Sequence, residues 1–464
     1  MTPSRSFGHE PSSSEGVDPV EAATERDAVL HKWARQDTYE PVFVEAAAGT
    51  RVLDADGRSS LDAFSQSWYA VVGHGRASIA AAIAAQAHAL ASVHAGRFAT
   101  RPRRQLARRL LDRLPETFQR VCFGSNGSDA VEASLKAARL GTGRQGVVAF
   151  SGSYHGASMA ATSVTGLAQC REGFGEPVPG TVFAPYPYCY RCPLGLTYPG
   201  CELACTDLVE HAIATEGPER IAAIIAEPVA GVGGVVVPPQ PYWQRIREIA
   251  DRYDIWLIFD EVVTGFGRCG SWFALEHYET APDVITLAKG LTSGYQPLSA
   301  AVFNARADAA ISQVPWYHGM SFQGHAVACA AALANLDILE HEQLIDRGAV
   351  LGQQLEPRLG ELAERHRCIG DVRGIGAMWG IELVQDRATK APFAPGGPFR
   401  DSRGRAVDAA RWACDELFDT HAVHIGAATN VLLLAPPLIF SDQDVDELVT
   451  GLSAALTRVD AQCS

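Results

Sequence analysis

From about Arg120 to Asn304, short apolar runs alternate with amphipathic or alanine-rich segments. The runs are Arg120–Phe123, Gly146–Phe150, Ile221–Ala226, Ile255–Phe259, Val284–Leu287 and Leu298–Phe303. A half-wet strand would alternate polar and apolar positions, so runs without that alternation predict strands buried on both faces. Between them, Ser128–Leu140, Thr206–Thr215 and Tyr242–Tyr253 carry helical spacing. Strands separated by helices predict a mostly parallel central sheet. Upstream, Arg51–Asp54 and Ser59–Asp62 flank Ala55-Asp56-Gly57-Arg58, the pattern of a hairpin. Downstream, His325–Glu340 and Arg347–Arg365 predict long helices, Val372–Leu383 a strand and Asp442–Leu456 a closing helix.

The expected architecture is α/β. A large domain over 71–325 surrounds the sheet and carries a cysteine-rich insert at 185–206, and a small α+β domain is assembled from 28–70 and 326–464. Met1–Asp27 is polar and lacks an apolar h-region, so a disordered leader is expected there.

At 464 residues the chain exceeds one minimal core, and 47% hydrophobic with 20% charged residues is ordinary for a soluble enzyme. A net charge of −14 argues against nucleic acid and fits neutral or cationic small molecules. The most apolar stretch, Ile221–Pro238, is broken by Glu227, Pro228 and several glycines, which excludes a membrane span there. The expected setting is therefore cytoplasmic, with no membrane partner. Most of the 11 cysteines read as reduced thiols. Cys189, Cys192, Cys201 and Cys205 have C-x2-C-x8-C-x3-C spacing, open to a metal, to disulfides or to free thiols, and no metal is assigned.

Ligands of open parallel sheets bind beyond the carboxyl ends of the strands. Gly124-Ser125-Asn126-Gly127-Ser128-Asp129 joins a strand to a helix, where successive N–H groups and a hydroxyl can cradle a phosphate. The same loop reads equally as an N-cap by Ser128. Tyr154, in Gly152-Ser153-Tyr154-His155-Gly156, can stack on a flat ring or simply occupy a turn. Asp260 ends an apolar strand, where a carboxylate needs a cation such as a protonated pyridine nitrogen, or a structural ion pair. Val262 follows two residues later. Lys289 leaves another apolar strand and precedes Gly290. Of 39 basic residues only Lys32, Lys136, Lys289 and Lys390 are lysines, and only Lys289 has this apolar setting. Desolvation lowers a lysine pKa and makes the amine a usable nucleophile toward an aldehyde. No G-x-G-x-x-G directly follows a strand to open a helix, and no Walker loop is present, which argues against a nucleotide-binding module.

In this order, these local sequences resemble the class III pyridoxal-phosphate aminotransferases, the ω-transaminase-like branch of fold type I, from about Tyr39 to the last helix. The resemblance rests on Gly73-His74-Gly75-Arg76, Gly127-Ser128, Ser153-Tyr154-His155-Gly156, Ala226-Glu227-Pro228-Val229 and Asp260-Glu261-Val262. It continues through Gly265-Phe266-Gly267-Arg268, Ala288-Lys289-Gly290, Gly324-His325, Val372-Arg373-Gly374 and Ala435-Pro436-Pro437-Leu438. It implies pyridoxal 5′-phosphate as cofactor, Lys289 as the Schiff-base lysine and proton shuttle, and Asp260 against the pyridine nitrogen. It further implies Tyr154 and Val262 on the ring faces, Gly127 and Ser128 at the phosphate, and Glu227 at the cofactor. Ser321 stands where the family has a Thr that reaches the phosphate of the neighbouring subunit, which implies a homodimer with shared sites. Trp68 and Tyr69 resemble substrate-pocket positions, with plain core aromatics as the alternative.

Two departures bear on the substrate. Many ω-transaminases carry an Arg soon after Pro-Pro-Leu, where this chain has Asp442, and ornithine-type members have an Arg where it has Ala157. Without those forks the site lacks carboxylate recognition at both points. Asp442 either caps the last helix or, as an acid at that place, suggests a cationic polyhydroxylated or polyamine donor, with an amino sugar of antibiotic biosynthesis as the leading expectation. Elimination, epimerisation, decarboxylation and racemisation remain open beside transamination, since fold and cofactor do not fix the reaction.

Overall fold

In the computed structural model, which describes residues 19–37, 39–394, 397–401 and 403–463, the central runs form one seven-stranded sheet. Its strands are β1 (Phe118–Gly124), β2 (Gly146–Phe150), β3 (Thr181–Ala184), β4 (Ile221–Ala226), β5 (Trp256–Asp260), β6 (Val284–Leu287) and β7 (Ser299–Asn304). They lie in the order β1-β7-β6-β5-β4-β2-β3. Every neighbouring pair from β3 to β6 is parallel, and β7 runs antiparallel to both β6 and β1. The carboxyl ends of β1, β2, β4, β5 and β6 therefore share one edge. All residues of β2, β4, β5 and β6 are buried, as their unbroken apolar sequences require. The exception is β3, a short edge strand with intermediate exposure that the apolar pattern did not mark.

Around the sheet, helices Gly127–Thr142, Cys205–Glu216 and Tyr242–Arg252 coincide with the three expected segments. The first is capped by Asn126, whose side chain accepts the Asp129 N–H at 3.1 Å. Ser128 is thus not the cap, and its hydroxyl stays available to the neighbouring loop.

Both chain ends build smaller sheets. Val44–Ala48, Arg51–Asp54 and Ser59–Asp62 form an antiparallel meander, and Val423–His424 adds to it parallel to Ser59–Asp62. The expected single strand Val372–Leu383 is in fact a hairpin, Ile369–Ile375 paired with Met378–Leu383. Gly376 makes its turn at φ +56°, where a Cβ would lie 2.3 Å from the Cys269 carbonyl carbon, so only glycine fits. The Met378–Leu383 strand pairs with Val431–Leu434, which pairs with Gly426–Ala428.

Of the expected leader, residues 1–18 lie outside the described residues, and Pro19–Ala28 is helical rather than disordered. Proline is pre-organised for the first helical position, and the following Val-Glu-Ala-Ala contains good helix formers. Among the described residues, no helix is long and apolar enough to cross a membrane.

Candidate active site

Asp260, the last residue of β5, is buried at 3% exposure. Its Oδ2 lies 2.7 Å from His155 Nδ1, and its Oδ1 accepts from Thr286 Oγ1 at 2.8 Å and from the Val262 N–H at 3.1 Å. Thr286 is the direct partner of Asp260 across the parallel β5–β6 pair. With the carboxylate ionised, His155 Nδ1 must carry the proton. The Nε2 of His155 is buried without a partner among the described residues. Neither His155 nor Thr286 was assigned a role from sequence. The signals were present, a His inside the Ser-Tyr-His-Gly motif and a lone hydroxyl in the Val284-Ile285-Thr286-Leu287 run, but pairing them to Asp260 needs the strand order.

Lys289 follows β6 in a short 3-10 turn, with φ +38°, a left-handed conformation that is uncommon for a non-glycine residue. It is enclosed by protein while part of the side chain still meets solvent. Burial lowers its ammonium pKa, against the opposing charges of Asp260 and Glu227. Among the described residues its Nζ has no hydrogen-bond acceptor and no ion-pair partner. A buried amine of lowered pKa, within electrostatic reach of a buried acid, suits condensation with an aldehyde.

Glu227 follows β4 and accepts the Tyr154 N–H and the Gly231 N–H, each at 2.9 Å. It therefore fixes the loop that carries Tyr154. Burial pushes its carboxyl up to about 7, against the opposing effect of His155.

At the end of β1, Gly127 and Ser128 open the first helix. A Cβ on Gly127 would touch Val262 at 3.2 Å, so Val262 and the phosphate-loop candidate are neighbours. The Ser128 hydroxyl accepts the Ala157 N–H at 3.1 Å. Gly156 packs against that hydroxyl at φ +134°, where a Cβ would be 2.2 Å away. The structure thus gathers Gly127, Ser128, Tyr154, Glu227, Asp260, Val262 and Lys289 at one sheet edge. A helix N-terminus for an anion, a held carboxylate for a ring cation and an unpartnered amine form the donor set that pyridoxal phosphate needs.

The remaining candidates fall elsewhere. Trp68 is a core residue at 2% exposure, packed edge-on against Phe64. Tyr69 is half-buried beside Gly294, where a Cβ would be 2.5 Å from its ring. Ser321 sits in an exposed turn ahead of helix Ala326–His341, near Gln323, whose Nε2 lies 3.4 Å from Cys122 Sγ of β1. Asp442 lies in the exposed first turn of the last helix, Asp442–Asp460, where Gln354 Nε2 donates to it at 2.8 Å. That partner and the adjacent Ser441 cap account for Asp442 without a substrate. The four insert cysteines are free thiols, and no cluster of metal-ligating side chains occurs among the described residues.

Sequence reasoning also assigned no role to Arg268. It is fully buried, and it donates to the carbonyls of Ala377 at 3.1 Å and Pro436 at 2.6 Å and to Ser65 Oγ at 2.9 Å. One guanidinium thereby ties the sheet edge to both chain-end segments. Arg268→Leu would leave those acceptors stranded, and we expect it to lower unfolding stability by about 3 kcal/mol, read by urea denaturation. Unchanged stability would contradict this role.

A model of the family described as aminotransferase class III matches residues 33–456. The taurine–pyruvate aminotransferase of Rhodobacter capsulatus is 37% identical over 456 residues, 95% of this chain and 97% of that protein. The leucine/methionine racemase of Thermococcus litoralis is 34% identical, over 95% of this chain and 96% of its own length. Among solved structures, an amine transaminase from an uncultivated Pseudomonas species in its PLP-bound form is 36% identical with a TM-score of 0.85, covering 97% of this chain and 100% of that one. On this basis the chain belongs to the class III aminotransferases, has the fold-type-I architecture, and uses pyridoxal 5′-phosphate as its cofactor.

Proposed function

We propose that this enzyme moves the amino group of a non-α primary amine to a keto or aldehyde acceptor by a ping-pong cycle. The observation that carries the reading is the unpartnered amine of Lys289, enclosed beside the Asp260–His155 pair. When bound, pyridoxal 5′-phosphate supplies an aldehyde that captures amines and a ring that draws off the electrons left by a departing proton. Lys289 Nζ holds the cofactor between turnovers and, once released, carries the proton at the substrate carbon. Asp260, oriented by His155 and Thr286, offers its carboxylate to the ring nitrogen. Tyr154 and Val262 would flank the ring, and Glu227 sets the position of Tyr154. The N–H groups of Gly127 and Ser128, with the Ser128 hydroxyl, hold the phosphate at the helix N-terminus.

A homodimer with shared sites is part of the proposal. Tyr317 is 84% and Phe322 64% exposed, both on the segment that carries Ser321, and such apolar exposure fits an interface. Ser321 would then serve the phosphate of the partner. The division into a large domain at 71–325 and a small one from 28–70 and 326–464, and a cytoplasmic setting, complete the reading.

With Asp442 committed to Gln354, the expectation of a cationic amino sugar has no pocket residue to carry it. The similarity to a taurine–pyruvate aminotransferase favours a small ω-amine with pyruvate as acceptor. Racemisation is the second reading, favoured by the similarity to the leucine/methionine racemase.

The test incubates the purified holoenzyme with pyruvate and, separately, β-alanine, 1-phenylethylamine, an aminoglycoside and L-leucine. We expect one alanine formed per β-alanine or 1-phenylethylamine consumed, with parallel double-reciprocal lines. Turnover of the aminoglycoside alone would restore the amino-sugar reading. Amine loss without alanine would point to elimination or decarboxylation, and leucine racemised without keto product would favour the second reading.

A further inference from the structure

Lys289 stands at the head of a turn whose backbone is strained at more than one point. Lys289 and Ser293 adopt φ +38° and +51°, left-handed values that a residue with a side chain keeps only where its surroundings hold it. Within the turn, the Leu291 N–H reaches the Ala288 carbonyl at 2.8 Å, and the Thr292 N–H reaches the Lys289 carbonyl at 3.2 Å. The next two carbonyls, of Gly290 and Leu291, receive no backbone donor among the described residues. Both residues are buried, where an unmet carbonyl is costly.

The missing donors come from another element. Asn335 lies in helix Ala326–His341, fully buried beside Ala331, Ala332, Leu336 and Leu339 of the same helix. Its Nδ2 donates to the Gly290 carbonyl at 2.9 Å and to the Leu291 carbonyl at 3.1 Å. Its Oδ1 accepts the Ser293 hydroxyl at 2.7 Å, and Ser293 Oγ in turn accepts the Val72 N–H at 3.4 Å. Two carbonyls can be met only by the NH2 end, so the amide has one orientation, with both N–H donors and the oxygen in use. An apolar side chain would bury this face of the helix without any polar group to satisfy. Every bond of the amide instead goes to the segment that directly follows Lys289.

We propose that Asn335 is a positioning residue for the active-site amine. By clamping the Gly290 and Leu291 carbonyls and the Ser293 hydroxyl, it fixes the left-handed turn that aims Lys289 Nζ at the cofactor aldehyde and later at the substrate carbon. This rests on the reading above of Lys289 as the capturing amine. Among the described residues Nζ has no acceptor of its own, so its aim comes from the backbone that carries it. A misplacement of about 1 Å at a reacting group can lower a rate by about 10²-fold.

The test compares full-length wild type with Asn335→Leu and Ser293→Ala. Leu452→Ala, which opens a cavity in the closing helix Asp442–Asp460, controls for lost stability alone. Amide hydrogen exchange of the apoenzyme reads the turn. In Asn335→Leu the peptide over 289–296 should exchange about tenfold faster than in wild type, a selective change that Leu452→Ala should lack. Stopped-flow absorbance reads covalent capture of pyridoxal 5′-phosphate, and calorimetry reads the affinity for pyridoxamine 5′-phosphate, which has no aldehyde and binds without Lys289. Asn335→Leu should slow capture about 10- to 100-fold and leave that affinity within about threefold. Its kcat for amines should fall with capture while KM changes little. Ser293→Ala, which removes one hydrogen bond and carries the test if Asn335→Leu does not fold, should slow capture about 3- to 10-fold at unchanged affinity. Turn amides that exchange as in wild type, or capture and affinity lost by equal factors, would overturn the proposal. If wild type captures no cofactor at Lys289, the functional reading falls, whereas hydrogen exchange still judges Asn335 by itself.

Discussion

Lys289→Ala is expected to lower kcat/KM for the amine by at least about 10⁴-fold, leaving the fold intact. Under the proposed assignment two functions would vanish together in this variant, covalent attachment of the cofactor and proton transfer at the substrate carbon. General acid–base transfer by itself contributes about 10²–10⁴-fold, and losses at residues acting as a unit are larger than one role implies. No other lysine can substitute. Lys136 lies within helix Gly127–Thr142 and bonds the Tyr317 carbonyl, Lys390 donates to the Tyr190 carbonyl at 2.8 Å, and Lys32 belongs to a separate surface turn. Burial disfavours the charged amine, and among the described residues no acceptor or acid pairs with Nζ, so its removal strands no partner and far-UV circular dichroism should match wild type. Loss of less than 10-fold would remove Lys289 from the chemistry.

Asp260→Asn should reduce kcat by roughly 10²–10⁴-fold, about 3–5 kcal/mol of barrier at about 1.4 kcal/mol per tenfold. Three donors converge on this carboxylate, His155 Nδ1–H on one oxygen and Thr286 Oγ1–H with the Val262 N–H on the other. Asparagine keeps one acceptor oxygen and replaces the other with an NH2, which meets the Val262 N–H donor in one orientation and in the other forces the His155 imidazole into its other tautomer. Under the proposed assignment, the ring nitrogen would simultaneously lose the negative charge that keeps it protonated. A pre-steady-state measurement separates the causes. The cofactor should still bind, with its first chemical step slowed, whereas a purely structural defect would abolish binding first. A normal rate for that step in Asp260→Asn would contradict the pairing.

How much of this was legible in the sequence depended on whether a residue's role is local. Asp260 and Lys289 stand out because each is a charged group at the exit of an unbroken apolar strand, a placement that needs an explanation regardless of topology. The helices at Gly127–Thr142 and Tyr242–Arg252 follow from periodicity in the same way. Roles that depend on strand order were hidden. Thr286 meets Asp260 only because β5 and β6 are parallel neighbours, and His155 meets it across a gap of 105 residues in sequence. The hairpin Ile369–Ile375/Met378–Leu383 read as one strand because its turn contains apolar Ala377 beside Gly376, with no polar break. Asp442 was misleading for a related reason. A position counted from a motif gives no direction, and this side chain meets Gln354 on the exposed surface. Pro19–Ala28 lay where polar composition had suggested disorder.

The central claim is that one particular amine out of four captures the cofactor aldehyde. Borohydride reduction of the purified holoenzyme followed by peptide mass mapping reads this directly. The account expects the reduced pyridoxyl group on the peptide containing Lys289 and on no other. Finding it on Lys32, Lys136 or Lys390, or recovering every lysine unmodified from cofactor-loaded enzyme, would contradict it.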